Sequence, residues 1–399
     1  MDRPRTRAGF AKRKTMLLRV ILLVVCAVCP AWAQSWPTYH GNSALTGVST
    51  NAFPTVPVRL WRTRVGRDLP SPVVGDRDRL FCIADGSTVT ALNASGTKLW
   101  AVTIKRTGES DETDAESFEA PPLYLDSGAL VVAAESGRTY GLSIKDGARR
   151  WMYEAGERIQ GTPNSAPGRV FVMTQPSGAL HALNPLDGSR LWTGDPLDRC
   201  DAHIAVSGGN VVFGNCAAAV HRFDAVSGKL GTSVDVGEGG EMAGGVALSG
   251  GRAFGGNRGG VMVCVDLESG TVLWRNEDSA GELFTTPAVT DSRVVFCGGD
   301  AAVYCLDRQT GKTVWSYDSG GRDSKSPVIA ADGVIAVTDG VLYGLSLADG
   351  ALRWKREVSD EITGPCMIGG MIVVGIDDGH VAAYGIGQSP NDAGPSVGD

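Results

Sequence analysis

Cys305-Leu306-Asp307-Arg308-Gln309-Thr310-Gly311-Lys312-Thr313-Val314-Trp315 carries the pattern that decides the fold. An apolar residue precedes an Asp, a Gly follows four residues later, and a Trp four residues after that. The same frame runs from Ala182 to Trp192, from Cys264 to Trp274 and from Gly344 to Trp354, with related stretches ending at Trp100 and Trp151. The stretch ending at Thr232 keeps the frame without its Trp. Its Gly positions are 96, 147, 188, 228, 270, 311 and 350, spaced 39 to 42 residues apart except for one interval of 51. Four short strands occupy about that length, and a repeat of this period marks a radial array of sheets.

Each part of the motif has a physical task. The apolar residue ends a half-buried strand, and the Asp, Asn or Ser side chain bonds backbone N–H groups of the turn. The Gly supplies the positive φ that the turn requires. The Trp lies on the outer strand, where its face fills the wedge between neighbouring sheets. Trp61, Trp100, Trp151, Trp192, Trp274, Trp315 and Trp354 are therefore the expected blade-docking residues. Upstream, each unit shows paired alternating runs such as Arg293–Cys297 and Ala302–Leu306, a hairpin pattern.

Chain ends complete the count. Trp61, in Val58–Arg62, reads as an outer strand with no unit before it, and Ala383-Tyr384-Gly385 as the motif with no Trp after it. Pairing the two closes one blade from both termini and leaves no free sheet edge. The expected fold is all-β, an eight-bladed β-propeller of four-stranded blades, with seven blades as the alternative if a terminal unit is irregular. Its expected span is residues 58–387, with a signal peptide over 1–33, an extended segment over 34–57 and a flexible tail over 388–399.

The signal peptide rests on a basic stretch from Arg3 to Arg19, an apolar run from Val20 to Val28 and a small-residue site at Ala31-Trp32-Ala33. The run is too short to span a bilayer. Localisation is therefore expected to be periplasmic or secreted. Cleavage removes seven basic residues and one acid, leaving 30 basic and 43 acidic residues and a net charge of −13. That balance argues against nucleic acid and anionic lipid as partners. Seven cysteines remain after cleavage, an odd number without a CxxC pattern.

The repeats resemble those of the quinoprotein-type (PQQ-like) β-propeller family, and the segment from Trp36 to Ser49 resembles the leading segment of such chains. The family has a catalytic branch of pyrroloquinoline quinone dehydrogenases. Its non-catalytic branch is typified by the B subunit of the outer-membrane β-barrel assembly machinery. The catalytic branch implies adjacent cysteines against the quinone and a Ca²⁺ held by Glu, Asn and Asp. This sequence has no Cys-Cys dipeptide and none of those site motifs, so no catalytic, cofactor or metal residue is assigned. The assembly subunit is a lipoprotein, whereas here Val25 and Val28 precede Cys26 and Cys29, so no lipidated Cys is expected. The resemblance implies an exported, monomeric scaffold or adaptor for protein or peptide partners. A quinone-dependent dehydrogenase with Ca²⁺ is the alternative, and a polysaccharide-binding module a third.

Candidate sites follow from the topology. Cys200 and Cys216 are equidistant from Gly208, so antiparallel pairing would place them opposite one another, a candidate disulfide in an oxidising compartment. Cys264 and Cys305 read as small core residues, and His181 and His221, in a slot that elsewhere holds Thr, Tyr or Val, as packing residues. The long interval carries Glu109, Asp111, Glu112, Asp114, Glu116 and Glu119, read as a solvated acidic loop with a docking loop or loose Ca²⁺ site as alternatives. Segments entering the inner strands share one face. Arg67, Arg158, Asp201, His203, Glu241, Glu282, Lys325 and Glu361 are thereby expected around the channel mouth, where mixed charge suits protein or peptide recognition.

Overall fold

A computed structural model describes residues 1, 35–106, 114–237 and 239–386. The signal segment beyond Met1 and the tail after Gly387 lie outside the described residues. Among the described residues there is no helix, and the strands form eight sheets. Seven blades span residues 74–103, 123–154, 164–193, 205–235, 247–276, 288–318 and 324–357, each ordered from inner to outer strand along the chain. The eighth joins Cys366–Ile368, Met371–Ile376 and His380–Ile386 to Pro57–Arg64. In it Val58 pairs with Gly385 and Arg64 with His380, so strands from the two ends of the ring share one sheet.

Inter-blade packing is built on the Trp. Trp315 of blade 6 is 8% exposed, and its indole N–H donates to Leu347 O of blade 7 at 3.0 Å. Trp61, Trp100, Trp151 and Trp274 donate in the same way to Ala94, Ile144, Pro185 and Arg308 of the next blade, each at 3.0 Å. The turn glycine of that next blade lies flat against the ring. A Cβ on Gly311 would sit 2.5 Å from Trp274, and its φ of +69° already favours glycine. Trp354 of blade 7 has no such turn ahead of it, because blade 8 is open between the chain ends. Its N–H donates instead to Pro54 O at 2.7 Å, and Phe53 stacks on its ring at 5.7 Å.

Each Trp also needs a small residue across the sheet. Its cross-strand partners are Ala91, Gly141, Ala182, Cys264, Cys305, Gly344 and, for Trp61, Ala383. This is why Cys264 and Cys305 are fully buried thiols. Blade 4 inverts the arrangement. Thr232 stands where the Trp would be, Arg222 is its partner, and the guanidinium reaches back to Thr232 Oγ1 at 3.0 Å. Large and small have changed strands, and Thr232 Cγ2 stands beside the turn glycine Gly270 where the indole would lie.

A β-bulge precedes every Trp: Leu306 pairs with Thr313 and Cys305 with Trp315, leaving Val314 unpaired and exposed. The equivalent Leu60, Leu99, Leu191 and Leu273 are also exposed.

Residues 35–53 fill the channel. Trp36 exchanges backbone hydrogen bonds with Gly75 of blade 1, and Pro37 O accepts from Tyr124 N of blade 2. Thr38 Oγ1 donates to Pro163 O beside blade 3. Carbonyls of Ser43, Ala44, Thr46 and Gly47 then accept from Val206, Leu248, Val289 and Ile329 of blades 4 to 7. Val48–Ser49 ends the circuit as a parallel strand on Ile329 and Ala330. Seven of the eight inner strands or their approaches are thus tied to one segment, with Trp36 and Leu45 buried inside it. His40 pins the fold-back, its ring nitrogens lying 2.8 Å from Leu45 O and 2.9 Å from Pro327 O.

Two outcomes follow for urea unfolding of the mature protein. Trp315→Ala removes a buried indole and its inter-blade bond, and is expected to cost about 3–5 kcal/mol; a loss below about 1 kcal/mol would show that the ring does not carry the wedge. In blade 4, Thr232→Trp alone overpacks against Arg222 and destabilises. Arg222→Ala with Thr232→Trp restores the arrangement of the other blades and recovers that loss. Additive losses in the double variant would refute the exchange of large and small.

Candidate functional site: the mouth above the channel plug

In a four-stranded antiparallel blade, the segment entering the inner strand and the turn between the second and third strands share one face. Most charged residues singled out from the sequence lie there, and they are joined to those turns. Arg67 stands beside Asp85, whose carboxylate also accepts from Arg67 N at 2.7 Å. Arg158 bridges Glu119 at 3.1 Å and Glu135. Asp201 is held by Arg199 at 3.0 Å, by Gln175 at 2.7 Å and by Arg258 at 3.7 Å. Arg258 extends to Glu282 at 3.9 Å, and its N–H donates to Glu241 O. Lys325 donates to Asp323 at 2.7 Å and Glu361 at 3.1 Å.

Electrostatics favour the charged forms of Lys325 and Asp201. Burial opposes the charge on Lys325, but Asp323 and Glu361 outweigh it and hold the amine above its usual range. Burial likewise works against Asp201, yet Arg199 and Gln175 draw it below the usual carboxylate value. Glu119 is pushed up by burial and by neighbouring Glu135, which Ser117 holds down.

Three residues sit differently from their sequence reading. His203 is not part of the charged rim. Its ring packs on Tyr39 of the plug at 3.9 Å, and Nδ1 accepts from Thr162 N at 3.3 Å and lies 2.9 Å from Thr162 Oγ1. Cys200 and Cys216 are free thiols. The hairpin pairs Ala205 with Val212, which sets its centre between Gly208 and Gly209. Cys216 therefore aligns with Asp201, whose carboxylate its Sγ approaches at 3.7 Å, while Cys200 turns inward to Gly214 O at 3.1 Å. One residue of register puts the two side chains on opposite faces.

The acidic insertion is only partly described, since residues 107–113, which include Glu109, Asp111 and Glu112, lie outside the described residues. Glu116 is not solvated. It is buried, accepts from Tyr140 Oη at 2.5 Å, and has Arg106 and Arg138 at 3.5 and 3.6 Å. His181 and His221 are packed in their slots, with Nδ1 near Tyr153 and Ser233 respectively.

Tyr39, Phe284 and Arg258 were not singled out from the sequence. Tyr39 forms the floor of the mouth, with Oη bonded to Ser326 Oγ at 2.7 Å. Phe284 is 53% exposed on its rim, with Arg258 5.3 Å from the ring centre. The only sequence signal for Phe284 was an aromatic residue in a connector next to the predicted Glu282.

The axis is taken by residues 36–49, and among the described residues no three His, Cys, Asp or Glu side chains are grouped to hold a metal ion.

Trp-docked blades, closure by both chain ends and a channel stoppered by its own leading segment define a quinoprotein-type eight-bladed propeller with a rim of ion pairs around its mouth. The family model described as outer membrane protein assembly factor BamB matches residues 58–196 and 217–365. The chain belongs to that family. An outer membrane protein assembly factor BamB of Burkholderia pseudomallei is 25% identical over 337 residues, covering 82% of this chain and 76% of the relative. One of Xanthomonas campestris is 25% identical over 361 residues, covering 84% and 87%. The crystal structure of BamB from Moraxella catarrhalis superposes with a TM-score of 0.67 at 18% identity, covering 84% of this chain and 99% of that one. A quinohemoprotein alcohol dehydrogenase from Comamonas testosteroni gives 0.68 at 14% identity, covering 90% and 82%. Structural likeness at these identities establishes the fold alone.

The histidines give the mouth a pH dependence. Burial, with His40 nearby, lowers the His203 pKa to about 4, and burial also lowers those of His40, His181 and His221. A histidine depressed in the folded state takes up protons first in the unfolded state. Its stabilising effect is complete above about pH 6.5 and is lost as pH falls towards 4. Replacing His203 by Gln, which can still accept from Thr162, is expected to reduce the stability lost between pH 7 and pH 4.5 by about 1–3 kcal/mol. Equal losses in the wild type and the variant, by urea unfolding at both pH values, would refute this assignment.

Proposed function

We propose that the chain is an exported, non-catalytic scaffold in outer membrane protein assembly, facing the periplasm and engaging protein partners through the mouth face. The observation that carries this reading is the division of labour between the two ends of the channel. The leading segment stoppers the axis, and above it a rim of ion pairs surrounds Phe284 and Tyr39. Mixed charge around an exposed aromatic is what protein interfaces use for steering and anchoring. Family membership supports the assembly role, because the matching relatives are named for it. The quinone-dependent alternative is not favoured, since the residues on the axis are the chain's own plug and no adjacent cysteines line it. Among the described residues no helix is long and apolar enough to cross a membrane.

Deleting the gene in the source cell is expected to lower the abundance of outer-membrane β-barrel proteins, measured by quantitative proteomics of isolated membranes, and wild-type chain restores it. Arg158→Glu with Arg258→Glu reverses charge on the rim without touching the core, and should complement poorly while melting like the wild type. Unchanged barrel levels after deletion would overturn the assembly role. Full complementation by the charge-reversed protein would overturn the use of this face.

A further inference from the structure

Between blades 6, 7, 8 and 1 the mouth deepens into a funnel of about 620 Å³. Tyr39 lies at its base, and below Tyr39 the channel is filled by the plug. The funnel is therefore blind: a polypeptide cannot thread through it, but the tip of a loop or a chain end can enter. Its volume falls within the roughly 300–1,000 Å³ of sites that enclose small ligands.

Its lining has two distinct chemistries. Its apolar lining is Leu69, Pro70 and Pro72 where the chain enters blade 1, and the exposed ring of Phe284 where it enters blade 6. The charged lining comprises Asp68, Asp323, Glu361 and Asp377 against the single base Lys325. Lys325 is already committed to Asp323 and Glu361, and both of those side chains remain well exposed, at 60% and 66%. The acids thus exceed the base by three, and two of them present free lone pairs towards the opening. Arg258 lies 5.3 Å from the centre of the Phe284 ring, which shows that this ring accepts a guanidinium, and over half of its surface stays uncovered.

We propose that this funnel docks a basic–apolar loop tip of a protein partner: an Arg or Lys reaches Asp323 and Glu361 while a neighbouring apolar side chain covers Phe284. The inference rests on the reading that the mouth face engages protein partners, and it specifies the partner's chemistry. Charge complementarity selects the cation, and the plug beneath Tyr39 limits the depth to a few side chains.

The test uses the full mature chain and two capped tripeptides, acetyl-Leu-Arg-Phe-amide and acetyl-Leu-Glu-Phe-amide, followed by saturation-transfer NMR. The Arg peptide is expected to bind about tenfold tighter than the Glu peptide and to weaken as salt is raised. Asp323→Asn with Glu361→Gln should abolish that preference. Phe284→Ala, which leaves every charge in place and alters only an exposed ring, should weaken the Arg peptide several-fold. Equal or tighter binding of the Glu peptide would make Lys325 the receptor and overturn the proposal. Binding unchanged in both variants, or no binding of either peptide at millimolar concentration, would overturn it as well. These outcomes are separate from the gene-deletion result: barrel proteins that fall on deletion, with no peptide binding, sink the funnel and leave the assembly role standing.

Discussion

At seven of the eight blade boundaries a flat indole closes the gap, against the turn of the next blade or, for Trp354, against Phe53 and Pro54, while Thr232 stands in its place after blade 4. Twisted sheets arranged around an axis diverge outward, and the gap they leave must be filled by something large on one side and very thin on the other. The Trp supplies the bulk and the turn glycine the thinness, and in Trp61, Trp100, Trp151, Trp274 and Trp315 the indole N–H also satisfies a carbonyl of the neighbouring turn. That contact couples each sheet to the next, so the strain of an imperfect blade is shared around the ring. Blade 4 departs from this arrangement: Arg222 and Thr232 exchange the large and small roles across the two outer strands. Blade 7 departs from it at the closure, where Phe53 and Pro54 of the incoming chain stand in for a turn that blade 8 lacks.

The ring leaves an axial space that its own side chains do not fill. The leading segment takes that space, exchanging hydrogen bonds with inner strands that would otherwise present unpaired groups to a channel. It does two things at once. It ties seven blades to one strand of chain, and it places Tyr39 against His203 as the floor of the mouth. The face above therefore becomes a concave surface closed below by Tyr39, with charges held in pairs around its rim. The same fold in a dehydrogenase and in an assembly factor shows that architecture alone leaves function open. The family to which its repeats belong is what places this chain among the assembly factors rather than the dehydrogenases.

Blade count, the closing strand and the face on which the charged connectors gather were all legible in the sequence, because they depend on local periodicity and on counting strands. The Asp–Gly–Trp frame recurs at nearly constant spacing, and in antiparallel blades strand number alone dictates which loops share a face. Register was less accessible. A shift of one residue in the hairpin around Gly208 and Gly209 separates Cys200 from Cys216, and spacing by itself could not resolve it. Glu116 was read with its acidic neighbours, but its fate depends on Arg106, Arg138 and Tyr140, which only packing brings together.

The sequence alone determined the repeating unit, its number and the way the ring closes, since those are consequences of which residues tolerate a tight turn and which fill a wedge. Only the tertiary structure decided the path of residues 35–53 and the identity of the mouth floor. That segment carries no periodic pattern, and its partners are remote in the chain, 287 residues away for Tyr39 with Ser326 and for His40 with Pro327. Contacts of that separation are set by the finished ring, whose inner strands offer their backbone groups to the axis only once all the blades are in place.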